Sequence, residues 1–218
     1  STKASVQVLP KKKYDSKISI QLKSAVKQEP ILESDGPVLI THWGLSGPAI
    51  LRLSAWGAQV LNEKNYKFSV RVNWVPEYHE ESVINVLMEI KEIERKKTIL
   101  RTKALDLPRR LWTNLVKGSG ISPEMTWAEA SKEHLQKLAL QLTKCEFKVE
   151  GKSTFKEEFV TAGGVNLKEI NFKTFESKLL PNLFFAGEVI NVDAITGGFN
   201  FQNAWTGGYI AAQGILNG

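Results

Sequence analysis

The chain is poor in the residues that build covalent and metal-centred chemistry. It has one cysteine, Cys145, and three histidines, His42, His79 and His134. A single cysteine excludes an internal disulfide framework and agrees with a reducing compartment, so a cytoplasmic location is expected. These four residues have no spacing that fits a zinc site, and no metal is expected. No apolar run approaches the ~20 residues of a membrane span. No signal peptide is visible, and no membrane partner is expected. The sequence also lacks Gly-x-Gly-x-x-Gly, so the turn that cradles a dinucleotide pyrophosphate has no counterpart. The hydrolase elbow Gly-x-Ser-x-Gly fails at its fifth position, where Pro48 follows Gly44-Leu45-Ser46-Gly47. Ser46 reads better as a helix cap than as a nucleophile.

What is present is a chain of 218 residues, long enough for one large or two small domains with a real core. It opens Ser-Thr-Lys, without a Met and inside strand-like sequence, so an excised portion of a longer protein is expected. The net charge is +6. Its basic residues fall in two groups, Lys11, Lys12, Lys13 and Lys17, and a run from Lys91 through Arg95, Lys96, Lys97, Arg101 and Lys103 to Arg109 and Arg110. Both are candidate phosphate contacts. The plainer reading is a solvated Lys-rich face, since no aromatics interleave the cations.

Three textures follow one another. Residues 1–76 read as β: Ala4–Leu9, Ser16–Leu22 and Tyr66–Trp74 alternate apolar and polar, with Lys-rich and Asp-Gly punctuation between them. A short helix over Ala49–Trp56 interrupts them, with Pro48 in its first turn. Residues 77–145 turn helical. Val83, Leu87, Ile90 and Ile93 form one stripe. Asp106 is placed to cap a second helix with Pro108 in its first turn and Gly118 at its end. Thr126 and Glu129 form a capping box, and Ser131 starts a last helix facing inward through Leu135, Leu138 and Leu142. Phe147–Val165 returns to strand, and residues 146–162 rejoin the β part. The prediction is α+β: a β-barrel-like or sandwich domain with an all-helical insertion, then a β-to-helix unit over 163–218.

That last unit carries the candidate chemistry. Leu183–Ala186 reads as a strand covered on both faces, ending in Gly187-Glu188. A carboxylate at such a strand end can accept hydrogen bonds from ribityl or ribose hydroxyls, or simply from nearby backbone. Thr196-Gly197-Gly198-Phe199-Asn200 then opens a helix whose free N–H groups and dipole favour negative charge by ~0.5–2 kcal/mol. The alternative is a plain Gly-rich turn. Gly207 and Gly208 in the helix interior cost about 1 kcal/mol each and imply close approach to a partner element. His42 is the candidate proton donor or anion ligand; the alternative is a histidine that only bonds its surroundings.

Several segments, in order, carry a resemblance: Thr41-His42-Trp43-Gly44-Leu45-Ser46-Gly47-Pro48-Ala49, Leu107-Pro108-Arg109-Arg110-Leu111, Val160-Thr161-Ala162-Gly163-Gly164-Val165, Glu176-Ser177-Lys178-Leu179, Phe185-Ala186-Gly187-Glu188-Val189 and Asp193-Ala194-Ile195-Thr196-Gly197-Gly198-Phe199-Asn200. Together they resemble the BaiN/YhiN-type FAD-dependent oxidoreductases. The resemblance implies a Rossmann-like FAD-binding domain in two pieces, interrupted by a barrel-like domain with a helical insertion; 163–218 would be the second piece. It implies FAD as cofactor, NAD(P)H as a candidate reductant and a small-molecule substrate. It places Gly163, Gly164, Gly187, Glu188, Thr196, Gly197, Gly198, Phe199 and Asn200 on the flavin side; His42 and Ser46 are candidates for the substrate side.

The function expected is hydride or electron transfer by a flavoprotein, with this chain alone inactive and the missing N-terminal half of the same protein as its partner. A basic nucleic-acid-binding or scaffolding module is the alternative; a nucleic-acid partner is not the expected one. A swapped or crystal dimer through the C-terminal helix is a further expectation.

Overall fold

A computed structural model of the chain describes residues 2–9, 32–153, 160–194 and 197–217. The expected strand Ser16–Leu22, the Lys11–Lys17 cluster and Thr196 lie outside the described residues. The chain forms two compact units, residues 1–53 with 64–152, and residues 54–63 with 153–218. The architecture is mixed α+β.

The first unit is built on a curled, open half-barrel of antiparallel strands. Its strands are β1 (Thr2–Leu9), β2 (Leu32–Ile40), β3 (Leu45–Ser46), β4 (Phe68–Asn73) and β5 (Cys145–Val149), in the order β3-β2-β1-β4-β5. The two-residue period works as expected in β1 and β4. Ala4, Val6 and Val8 are buried, and Val6 and Val8 face Val72 and Val70 across the pairing.

The Asp-Gly punctuation misled. Asp35-Gly36 lies inside β2, with Gly36 opposite Ala4. Gly36 has φ 137°, and a Cβ there would meet the Arg52 guanidinium at 2.6 Å. That guanidinium donates to the Asp35 carbonyl. Glycine is therefore used for a close approach within a strand, a second meaning of a strand glycine beside a turn. In the same way the expected strand Phe147–Val165 shortens to β5 among the described residues, and Val165 makes only an isolated bridge.

Helix α1 (Pro48–Trp56) begins at the expected proline, but Ser46 belongs to β3 and does not cap it. Gly47 intervenes with φ 97°, its backbone close against Pro37 and Leu39. Helix α2 spans Ala58–Glu63.

Between β4 and β5 lie α3 (Glu80–Ile93), α4 (Arg109–Gly118) and α5 (Lys132–Thr143). Leu135, Leu138 and Leu142 are buried as the period required, and the Trp74 N–H donates to the Leu142 carbonyl at 2.8 Å, tying α5 to the sheet. Ser131 caps α5, accepting from the His134 N–H at 3.3 Å. The α3 stripe holds at Val83 and Leu87 and fails at Ile93, which is 79% exposed in the last position of the helix. For α4 it is Pro108, not Asp106, that occupies the N-cap. Proline has no N–H to leave unpaired there. Thr126 and Glu129 bond as expected, with the Thr126 N–H and hydroxyl donating to Glu129 Oε2 at 2.8 and 2.9 Å. They close a turn and not a helix.

In the second unit β6 (Ile170–Asn171) and β7 (Glu176–Ser177) form a small hairpin, and α6 spans Phe199–Asn217. Ile170, Phe175, Ile190 and Ala211 make its core. Leu183–Ala186 is not a doubly covered strand. It contributes one bridge, Glu176 to Phe184, and Leu183 is exposed. Apolar content alone does not make a strand: the run is held by two backbone hydrogen bonds, Ser177 N–H to the Leu183 carbonyl and Phe185 N–H to the Phe175 carbonyl, around the single Glu176–Phe184 bridge.

Candidate functional site

Glycine positions shape the site in the second unit. Gly164 has φ 140°, and a Cβ there would lie 2.5 Å from the Val189 carbonyl oxygen and 2.8 Å from the Asn191 nitrogen. Only a bare backbone allows the next residue, Val165, to pair with Ile190 in parallel register. The Val165 N–H donates to the Val189 carbonyl at 2.8 Å, and the Asn191 N–H donates to the Val165 carbonyl at 3.1 Å. This pairing brings Gly163-Gly164 alongside the 3-10 turn Gly187–Val189.

The same turn meets α6. Gly187, at φ 80°, has only the Ala204 methyl within reach of a Cβ, at 3.8 Å. Asn200, in the first turn of α6, bonds the Ala194 backbone twice. Its side-chain Nδ2 donates to the Ala194 carbonyl and its Oδ1 accepts from the Ala194 N–H, both at 2.9 Å. Gly197 and Gly198 follow with φ 131° and 91°, and α6 starts at Phe199. The first turn of α6 contains no acidic residue, so nothing in it offsets the positive end of the dipole.

The candidates thus divide clearly. The structure pairs Gly163 and Gly164 with the Gly187–Val189 turn, which meets α6 at Ala204; among the described residues no hydrogen bond joins that pair to Gly197, Gly198, Phe199 or Asn200, of which Asn200 bonds Ala194. Glu188 is exposed and makes no hydrogen bond or ion pair among the described residues, so its carboxylate is not satisfied by neighbouring backbone. Gly163 and Gly198 have open space where a Cβ would stand. Phe199 is 58% exposed. His42 belongs to the first unit. It is exposed on the β2–β3 turn, which Thr41 holds by accepting at Oγ1 from the Trp43 and Gly44 N–H groups.

Some residues were missed from the sequence. Glu176 reads as part of a motif, and its carboxylate braces the Asn182 turn, accepting from the Asn182 N–H at 2.9 Å. Ser177 likewise accepts from the Leu179 and Leu180 N–H groups. Of the two adjacent helix glycines only Gly207 is close-packed, against the Phe175 ring; Gly208 faces open space. Gly214, not singled out, is also close-packed: a Cβ there would lie 2.8 Å from the Thr174 carbonyl oxygen. A small-residue spacing of seven from Gly207 was the available signal.

The open sheet with helices inserted between β4 and β5 has a family counterpart. The model of the HI0933-like protein barrel and H2TH domain matches residues 9–160. The chain belongs to the HI0933-like family. Among curated proteins, this HI0933-like chain is 34% identical over 178 residues to the ribosomal RNA dihydrouridine synthase of Haemophilus influenzae. It is 31% identical over 179 residues to the ribosomal RNA dihydrouridine synthase of Escherichia coli. Each of these matches covers 82% of the chain and 42% of the relative. It is 27% identical over 186 residues to the 3-dehydro-bile acid delta(4,6)-reductase of Clostridium scindens, covering 85% of the chain and 45% of that protein. The chain therefore spans less than half the length of these relatives.

Bare backbone at Gly163 and Gly198 leaves room for a flat ring, and the unpaired Glu188 carboxylate is an acceptor for hydroxyl groups. No residues of this sequence match the pyrophosphate cradle.

Proposed function

We propose that this chain belongs to a flavin-dependent oxidoreductase that reduces a ring double bond conjugated to a carbonyl, with uracil in ribosomal RNA as its substrate. The observation that carries the reading is the pairing of Gly163-Gly164 with the Gly187–Val189 turn, which lies against α6, while Asn200 ties the first turn of that helix to Ala194. The relatives' names support the reaction class: a dihydrouridine synthase and a delta(4,6)-reductase of a 3-dehydro steroid both saturate a carbon–carbon bond next to a carbonyl system. Net addition of a hydride and a proton balances that reaction, with NADH or NADPH as the candidate source of the electrons.

Bound FAD would supply the hydride. The chain's own residues would supply position and electrostatics. Gly163 and Gly198 would keep the ring's approach free of side chains. The N–H groups at the start of α6, from Gly197 to Asn200, would favour negative charge on the ring edge. Glu188 would accept from sugar-type hydroxyls. Gly164 and Asn200 would hold the other residues in place; Thr196, outside the described residues, is kept as a candidate from the sequence alone. His42 is the candidate substrate-side proton donor.

The test uses the protein at its natural length. It is expected to purify yellow, to show the visible bands of oxidised flavin, and to bleach with NADH or NADPH without oxygen. Ribosomal RNA from cells lacking the gene should lack a dihydrouridine that the restored gene returns, read by mass spectrometry. A colourless protein that ignores added FAD overturns the flavin reading. A yellow, reducible protein that leaves uridine unchanged overturns the substrate alone.

A further inference from the structure

We propose that residues 96–117 form a surface that grips the phosphate backbone of RNA. The stretch holds seven basic residues, Lys96, Lys97, Arg101, Lys103, Arg109, Arg110 and Lys117, against one acidic residue, Asp106. The chain's whole excess of +6 therefore lies in this stretch, and the remainder is balanced. This surface rests on the RNA reading for its partner, and supplies what that reading otherwise lacks, a place for the polymer.

Six of the seven cations have no ion-pair partner among the described residues. Glu92 and Glu94 neutralise Arg95 and Lys97 at 3.1 and 2.7 Å. Lys96, Arg101, Lys103, Arg109, Arg110 and Lys117 are exposed and have no ion-pair partner among the described residues. They are displayed from a fixed frame. The Trp127 and Ala128 N–H groups donate to the Lys97 and Arg95 carbonyls, both at 3.0 Å, and the Ile99 N–H donates to the Met125 carbonyl at 3.0 Å. The buried Trp112 indole of α4 donates to the Ile99 carbonyl at 3.1 Å, locking the turn that carries Arg101 to the helix that carries Arg109 and Arg110. The Trp127 indole donates to Thr102 Oγ1 at 2.7 Å. Arg109 and Arg110 stand in the first turn of α4, where the dipole disfavours positive charge and no acidic residue offsets it. An anionic partner would relieve both.

A polymer of phosphates fits better than a lipid surface or a single anion. A membrane-binding helix keeps an apolar face for the acyl boundary. Here Leu111, Trp112, Leu115 and Val116 are all buried within the protein, so α4 has none to offer. A single anion needs cations converging on one point. These are spread over separate elements, and Arg109 to Lys117 alone runs about 12 Å along a helix axis.

The experiment measures binding of the natural-length protein to a fluorescent ribosomal RNA fragment across a salt series. Each phosphate contact contributes roughly 0.7–0.9 to the slope of log affinity against log salt. The triple variant Arg101→Gln, Arg109→Gln, Arg110→Gln is expected to lower the slope by about 2 and the affinity by at least ~10-fold at low salt. Lys3→Gln with Lys148→Gln, exposed on the sheet, is expected to leave the slope unchanged. If the triple variant melts without cooperativity, Lys96→Gln with Lys103→Gln decides, with an expected drop of about 1.5. An unchanged slope overturns the surface, as does an equal loss in the sheet variant or preferential binding to anionic phosphatidylglycerol vesicles. Flavin absorbance, read on the same samples, separates the two readings: a lost slope in a protein that never holds flavin keeps the surface and removes the oxidoreductase.

Discussion

Asn200 holds the Ala194 backbone from both sides, donating to its carbonyl and accepting from its N–H at 2.9 Å each. One side chain thereby ties Ala194 to the first turn of α6. Asn200→Asp keeps the acceptor and turns the donor into a second oxygen facing the Ala194 carbonyl. The variant is expected to lose about 1–3 kcal/mol, the cost of an unsatisfied polar pair. Denaturant unfolding measures the loss. Flavin affinity of the natural-length protein should fall with it, and a variant that keeps both would remove Asn200 from the framework.

Gly207 and Gly208 separate packing from helix propensity. Alanine at either position gains up to about 1 kcal/mol of intrinsic helix preference. At Gly207 the new methyl would stand 2.8 Å from the Phe175 ring, which belongs to the core. Gly207→Ala is expected to be destabilising by about 1–3 kcal/mol through overpacking. Gly208→Ala meets nothing within 4 Å and is expected to be stabilising by ~0.5–1 kcal/mol. Opposite shifts in melting temperature are the signature.

Gly164→Ala should be the most damaging single change in the second unit. The methyl collides with the Val189 carbonyl, and φ 140° is strained for any other residue. The Val165–Ile190 bridge cannot form without backbone movement, and a loss above ~2 kcal/mol is expected. Gly163→Ala carries backbone strain alone, since its surroundings are open. Comparing the two by hydrogen exchange at Val165 and Asn191 tests whether the bridge is what Gly164 protects.

Glu129 has a titration signature. The Thr126 N–H, then the Thr126 hydroxyl, hold its carboxyl below the usual carboxylate value. A folded-state pKa lower than the unfolded one contributes stability above the unfolded value and loses it as pH falls through the folded one. The wild type is therefore expected to lead Glu129→Gln at neutral pH, with the lead shrinking as the pH drops below the ordinary carboxylate range. A pH-independent difference between the two unfolding curves would contradict this.

What was legible in the sequence was local. The alternation of Ala4, Val6 and Val8, the spacing of Leu135, Leu138 and Leu142, and the Ser131 cap each state a rule that holds within one element. Charge was legible too, because the excess over 96–117 is a count and needs no coordinates. Tertiary contacts decided the rest. Asp35-Gly36 reads as a turn until Ala4 is found opposite and Arg52 is found where a side chain would go. Leu183–Ala186 reads as a strand until its pairing proves to be a single bridge. Gly163-Gly164 and Gly187-Glu188 are more than twenty residues apart in sequence, and only the Val165–Ile190 bridge makes them neighbours. Composition and periodicity fix what each segment prefers. Which backbone lies against a glycine is set by long-range packing, and no window of sequence contains it.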